Sequence, residues 1–243
     1  MATRKSNTRA SRKERLLFVV LFTVGLSLAG FAIWGLWTDS RDDAAAQAEY
    51  TELQQDMSEL LVAESDTARL DMSRFARLNP DFAGWIIIDD TGIHYPIVRG
   101  ADNDHYLHTT FLGEPNPAGA IFMDYRAVNG FDAPLTVLFG HNMRDGSMFA
   151  PLTAYLEMNL TAARPHITII TGQGEMLTYE IFHARMTDAW DDVYSLDFDD
   201  PATVAAHFAP TAPTGAQQFL VLSTCPPASN RPDRVLVYAA LVE

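Results

Sequence analysis

Leu16 to Trp37, LLFVVLFTVGLSLAGFAIWGLW, is a run of 22 residues without a charge, and it constrains this chain more than any other feature. As a helix it is about 33 Å long, at ~1.5 Å per residue, enough to cross a hydrocarbon core of roughly 30 Å. Trp34 and Trp37 stand at its C-terminal end, where amphipathic rings favour the membrane interface. Residues 1–15 hold six of the chain's 17 basic residues and one of its 31 acidic ones. Basic flanks stay on the cytoplasmic side. The expectation is a single-pass cell-membrane protein: a cytoplasmic tail over 1–15, an anchor over 16–37, and everything from 38 to 243 outside. A cleaved signal peptide fits less well. Its apolar region is about 7–15 residues and ends in small residues, and Trp-Gly-Leu-Trp-Thr-Asp is a poor cleavage site.

The exported part is strongly acidic, and the whole chain carries −14. That balance argues against a nucleic-acid partner, which needs a basic footprint. Both lysines, Lys5 and Lys13, lie in the basic tail. There is one cysteine, Cys225, so no internal disulfide and no Cys-rich metal site can form. An idle thiol outside the cell is an oxidation liability, which makes Cys225 a candidate reactive group.

Residues 38–78 form a helical segment in this reading. From 42 on they are rich in Ala, Leu, Glu and Gln, with no Pro or Gly. Leu53, Met57, Leu60 and Leu61 make one apolar stripe, and Ser65-Asp66 is a candidate break. From Asn79 the pattern changes to short strands with turn punctuation. Strands are predicted near Trp85–Ile88, Ile93–Val98, Gly119–Met123, Leu135–Gly140, His166–Thr171, Met176–Ala184, Phe219–Ser223 and Arg234–Val242. Eight strands in so short a span predict a mainly β domain over 79–243, a closed or nearly closed β-barrel, since closure removes free edges. Two helices interrupt it. One is predicted over Ser147–Met158. The other, Pro201–Phe208, falls between strands six and seven, with Asp200 as N-cap and Pro201 at the first helical position.

Cys225 ends an apolar strand and is followed by Pro226-Pro227, so its thiol belongs at a strand terminus rather than in mid-core. A thiol nucleophile needs a proton-transfer partner. His141 is the best placed of seven histidines, because it too ends an apolar strand, LTVLFG. His94 and His183 read as strand packing residues, His166 as a strand start, and His207 as part of an amphipathic helix. His105 and His108 lie three apart without an evident third ligand. An acyl-transfer site also needs donors for an anionic oxygen. Arg234, opening the last strand, returns toward the end that carries Cys225, and Arg231 in the preceding loop is the alternative. Asp188, Asp191 and Asp192 read as a solvated acidic loop.

Leu222-Ser223-Thr224-Cys225, with Gly140-His141-Asn142 upstream and Arg234 downstream, resembles the sortase catalytic set. Asn79-Pro80-Asp81-Phe82-Ala83-Gly84-Trp85-Ile86, Tyr95-Pro96-Ile97-Val98, Asp102-Asn103-Asp104-His105-Tyr106-Leu107 and Gly119-Ala120-Ile121-Phe122-Met123-Asp124-Tyr125 are similar to class B segments in particular. Ser147-Met148-Phe149 and a helix between strands six and seven fit as well. Pro226-Pro227 departs from the more polar loop of that class. The resemblance implies a membrane-anchored cysteine transpeptidase of Gram-positive bacteria that needs no metal or cofactor. It would cleave an Asn-Pro-x-Thr-like sorting signal after threonine through a thioester. The acyl group would pass to a cell-wall precursor amine, or to a pilin lysine in a pilus-assembling relative. Cys225, His141 and Arg234 would be catalytic, with Thr224, Ser223 and Asn142 touching substrate. Outside the enzyme class, an inactive membrane-tethered scaffold barrel is the competing reading.

Overall fold

A computed structural model describes residues 12–64, 69–195, 197–226 and 233–242. It divides into two units, Met1–Ala44 and Ala45–Glu243. A single helix, α1 (Arg12–Ala63), runs through both. The sequence suggested an anchor ending at Trp37 and a separate helix after it. No Pro or Gly interrupts residues 38–63, so nothing breaks the backbone ladder there. In the first unit every side chain from Leu16 to Trp34 is exposed. The expected break at Ser65-Asp66 lies outside the described residues. A short helix α2 (Ser73–Leu78) follows.

In the second unit α1 presents an apolar stripe. Ala46, Tyr50, Leu53 and Met57 are buried, with Leu60 and Leu61 packed beside them. Tyr50 also donates from its hydroxyl to the Gly119 carbonyl at 2.6 Å and accepts from Phe111 N–H at 3.3 Å. Glu49 accepts from Leu112 N–H at 2.9 Å. This half of the helix thus braces the loop between the second and third strands rather than standing as a solvated stalk.

Eight strands close into a barrel: β1 (Phe82–Ile88), β2 (Ile93–Val98), β3 (Ile121–Met123), β4 (Leu135–Phe139), β5 (His166–Thr171), β6 (Met176–Asp188), β7 (Phe219–Thr224) and β8 (Asp233–Leu241). Around the barrel the order is β1-β2-β3-β4-β7-β8-β6-β5. The β2–β3 and β4–β7 pairs are parallel and the rest antiparallel. The strand interiors are Val, Ile, Leu and aromatics, with Trp85, Ile86, Ile121, Val137, Leu222 and Val237 fully buried. Each such side chain contributes roughly 1.5–3 kcal/mol of burial.

The parallel β4–β7 pair requires a long crossover. It holds a 3-10 helix at Ala150–Leu156, α3 (Leu160–Ala163), β5, β6 and α4 (Pro201–Phe208). The helix predicted over Ser147–Met158 is therefore a shorter 3-10 element. Met148 has a positive φ of 55°, and Pro151 follows at the first turn, so no α-helix starts earlier. By contrast β6 runs four residues past the predicted Ala184, because β8 pairs with it out to Asp188↔Asp233. The Asp200 carboxylate caps α4 as expected, accepting from Ala202 N–H at 3.0 Å.

Candidate active site

The register of three neighbouring strands builds the site. β4 pairs β7 with Phe139 beside Ser223, and β7 pairs β8 with Ser223 beside Leu236 and Thr224 beside Val235. Carried two residues beyond Phe139 and Ser223, the same register would set His141 next to Cys225, with Arg234 on its other side. Neighbouring strands lie ~4.8 Å apart, and alternate residues share a face. Two contacts agree with that continuation: Asn142, next to His141, reaches the Cys225 carbonyl at 2.8 Å, and the Arg234 charge acts on His141. Leu107, far off in sequence, meets His141 there: the imidazole Nε2 lies 2.8 Å from the Leu107 carbonyl oxygen.

Each group has a local reason for its position. β7 stops at Thr224, just before Cys225-Pro226, and Cys225 is exposed. A carbonyl can only accept, so Nε2 of His141 carries the proton and a neutral ring keeps its lone pair on Nδ1. Burial pushes the His141 pKa below 6.5. The Leu107 carbonyl opposes this by favouring the charged ring, while the charges of His108 and Arg234 disfavour it. The His108 ring lies near parallel to His141, centroids 6.2 Å apart. Arg234 is half-buried and donates from Nη1 to the Asp233 carbonyl at 2.9 Å. Its charge acts on Tyr194 as well.

Tyr194 was not singled out in the sequence. Its ring stacks on Phe139 at 6.0 Å, and its hydroxyl lies 2.7 Å from Ser223 Oγ. Burial raises its pKa. Ser223 thus shares the face of Cys225, under Tyr194. Thr224, the next residue along β7, faces the other way; both are buried, and Thr224 Oγ1 has no hydrogen-bond partner. Asn142 turns its amide onto the Cys225 carbonyl at 2.8 Å. Leu107 escaped notice because it acts through its backbone, which no side-chain pattern reveals. Tyr194 sits in a 3-10 turn between β6 and α4, Asp192–Ser195, too short for a periodicity to show.

Other sequence expectations fare variously. Arg231 lies outside the described residues. His105 is exposed and packs edge-on to Tyr106. His183 stacks on Tyr238, and His94 stands edge-on to Trp85. Among the described residues no group of three His, Cys, Asp or Glu could hold a metal ion. The acidic loop needs correction, because Asp191 is buried. Burial raises its pKa, but the Thr187 hydroxyl at 2.7 Å, Val193 N–H at 3.0 Å and Arg185 at 2.5 Å together hold the carboxyl below its usual range. It is a structural ion pair that ties β6 to the segment carrying Tyr194.

Known proteins match this architecture. Residues 86–242 match the sortase domain family. Sortase B of Listeria monocytogenes is 35% identical over 161 residues, which cover 61% of this chain and 64% of that protein, just under two thirds of its length. Sortase B of Staphylococcus aureus is 26% identical over 245 residues, covering 96% of this chain and 99% of that one. The solved Staphylococcus aureus sortase B–substrate complex superposes with a TM-score of 0.73 at 26% identity, covering 84% of this chain and 99% of the other. Family match, relatives and closed barrel agree: the chain belongs to the sortase family of cysteine transpeptidases, and within it to class B.

Proposed function

We propose that this protein cleaves an Asn-Pro-x-Thr-like sorting signal after its threonine and transfers the acyl group to a cell-wall precursor amine, anchoring a surface protein. What supports this reading is that the Asn142 amide, next to His141, reaches the Cys225 carbonyl at 2.8 Å, and that the Arg234 charge acts on His141. Cys225 is the nucleophile, His141 the acid–base and Arg234 the donor to the carbonyl oxygen.

Burial holds the His141 pKa below its ordinary value, which favours the neutral imidazole before substrate arrives. As Cys225 sulfur bonds to the threonine carbonyl carbon, its proton passes to Nδ1 of His141. Arg234 stabilises the oxyanion with a planar pair of N–H donors. The C–N bond then breaks, and the leaving amine takes the proton from His141, which leaves a thioester. In the second half the acceptor amine attacks that carbonyl and gives its proton to His141. The thiolate departs and recovers the proton. Ser223 is buried with its hydroxyl 2.7 Å from that of Tyr194, so it supports the nucleophile strand from beneath.

Leu16–Trp37 holds the enzyme in the membrane, with residues 1–15 in the cytoplasm and the barrel outside. The uncharged run, exposed from Leu16 to Trp34, supports this. Cys225→Ala should abolish cleavage of a fluorogenic Asn-Pro-x-Thr peptide while its circular dichroism stays that of the parent. Retained turnover would remove Cys225 as nucleophile. Offering the acyl-enzyme a wall-precursor amine or a pilin-type lysine peptide separates anchoring from pilus assembly, since only the true acceptor should outcompete water.

A further inference from the structure

Cys225 lies past the last backbone rung of its strand. The parallel β4–β7 ladder repeats every two residues. Its final bond runs from Gly140 N–H to the Ser223 carbonyl at 3.2 Å. One repeat further, Asn142 N–H would meet the Cys225 carbonyl. Instead the backbone at Asn142 turns away into an isolated bridge with Met148. On the other side Pro226 brings no N–H to continue the pairing. The missing rung is made by a side chain, Asn142 Nδ2 donating to the Cys225 carbonyl at 2.8 Å.

The structure assigns Asn142 a positioning role: its amide extends the β4–β7 ladder by one rung and holds the Cys225 backbone level with His141. The inference rests on the reading of Cys225 as nucleophile and His141 as its proton partner. Its chemistry is specific. The amide must donate, because the carbonyl only accepts. Aspartate keeps the shape but donates nothing when ionised, and alanine removes the contact. Asn142 is adjacent to His141 in the chain, so the same bond ties the acid–base loop to the nucleophile strand. It also occupies the amide that the resemblance assigned to substrate.

The test uses the full chain in detergent micelles with Asn142→Ala, Asn142→Asp and Cys225→Ala. Misplacing a reacting group by an ångström costs on the order of a hundredfold. For both Asn142 variants we expect kcat to fall between about tenfold and a hundredfold with KM little changed. Labelling of Cys225 by a methanethiosulfonate should also slow at pH 7, where thiolate supply depends on His141. It should return to the parent rate near pH 10, above the ordinary thiol pKa of about 8.5, where the thiol ionises unaided. A rise in KM at constant kcat would overturn the inference in favour of substrate contact. Unchanged kcat and labelling would overturn it outright, as would labelling that stays slow at pH 10. Turnover by Cys225→Ala would instead sink the nucleophile reading, a distinct result.

Discussion

At the scale of single residues, the proposed chemistry depends on an imidazole kept neutral. His141 is pushed below 6.5 by burial first, with the charges of His108 and Arg234 adding to it. A general base works only unprotonated, so activity is lost as pH falls through the His141 pKa. The acid limb of kcat/KM should therefore lie below 6.5. His108→Ala removes one like charge and opens the ring to water, and both changes favour the imidazolium. The limb should move up toward 6.5, measurable as a pH profile on the fluorogenic peptide. An unmoved limb would mean that His108 does not act on His141. Cys225, His141 and Arg234 could be proposed from the sequence because each stands where an apolar strand begins or ends. Leu107 could not, since its carbonyl carries no side-chain signature. Thr224 and Ser223 were legible as neighbours of the nucleophile but not as opposites. Which of the two shares its face depends on the barrel's inside and outside.

At the scale of elements, α1 supports the loop that supports His141. Tyr50 satisfies the Gly119 carbonyl and Phe111 N–H at once, and both partners are buried. Tyr50→Phe leaves those groups without their partner, a cost of about 1–3 kcal/mol. In a domain of this size that lowers Tm by roughly 2–4 °C per kcal/mol, visible in a thermal melt. A melt unchanged within error would contradict the bracing role. Gly119 itself has no freedom to adapt. Its φ is +58°, and an added Cβ would meet the Tyr106 carbonyl at 2.5 Å. The apolar stripe of α1 was readable because helical spacing reports a packed face. The hydroxyl of Tyr50 was not, since its partners lie 69 and 61 residues away. The predicted helix at 147–158 failed for a local reason. Its Ala and Leu content favours a helix, but the left-handed Met148 and the placing of Pro151 override that preference.

At the scale of the whole molecule, strand count and turn spacing were enough to predict a barrel, but not its order. Parallel neighbours such as β4 and β7 are separated by 79 residues of intervening chain, and nothing local encodes that they meet. Yet that pairing is what brings His141 beside Cys225, so the fold class could be read before the site's geometry could. Charge distribution carries a further consequence. Every lysine lies at or before Lys13, so the barrel has no lysine amine to offer. Arginine replaces it throughout, and a guanidinium stays protonated and does not attack thioesters at neutral pH. On the proposed mechanism, an acyl-enzyme waiting for its acceptor would be safe from the barrels of neighbouring copies, even if anchors concentrated them on one surface. With peptide substrate and no added amine, intact-mass spectrometry should show thioester on Cys225 and released acid. It should show no peptide joined to the barrel through an isopeptide bond. A Glu-to-Lys change at an exposed position on the second unit, such as Glu59→Lys, supplies the missing amine and should allow slow cross-linking. Isopeptide product on the parent barrel would show that amine exclusion is not achieved by composition.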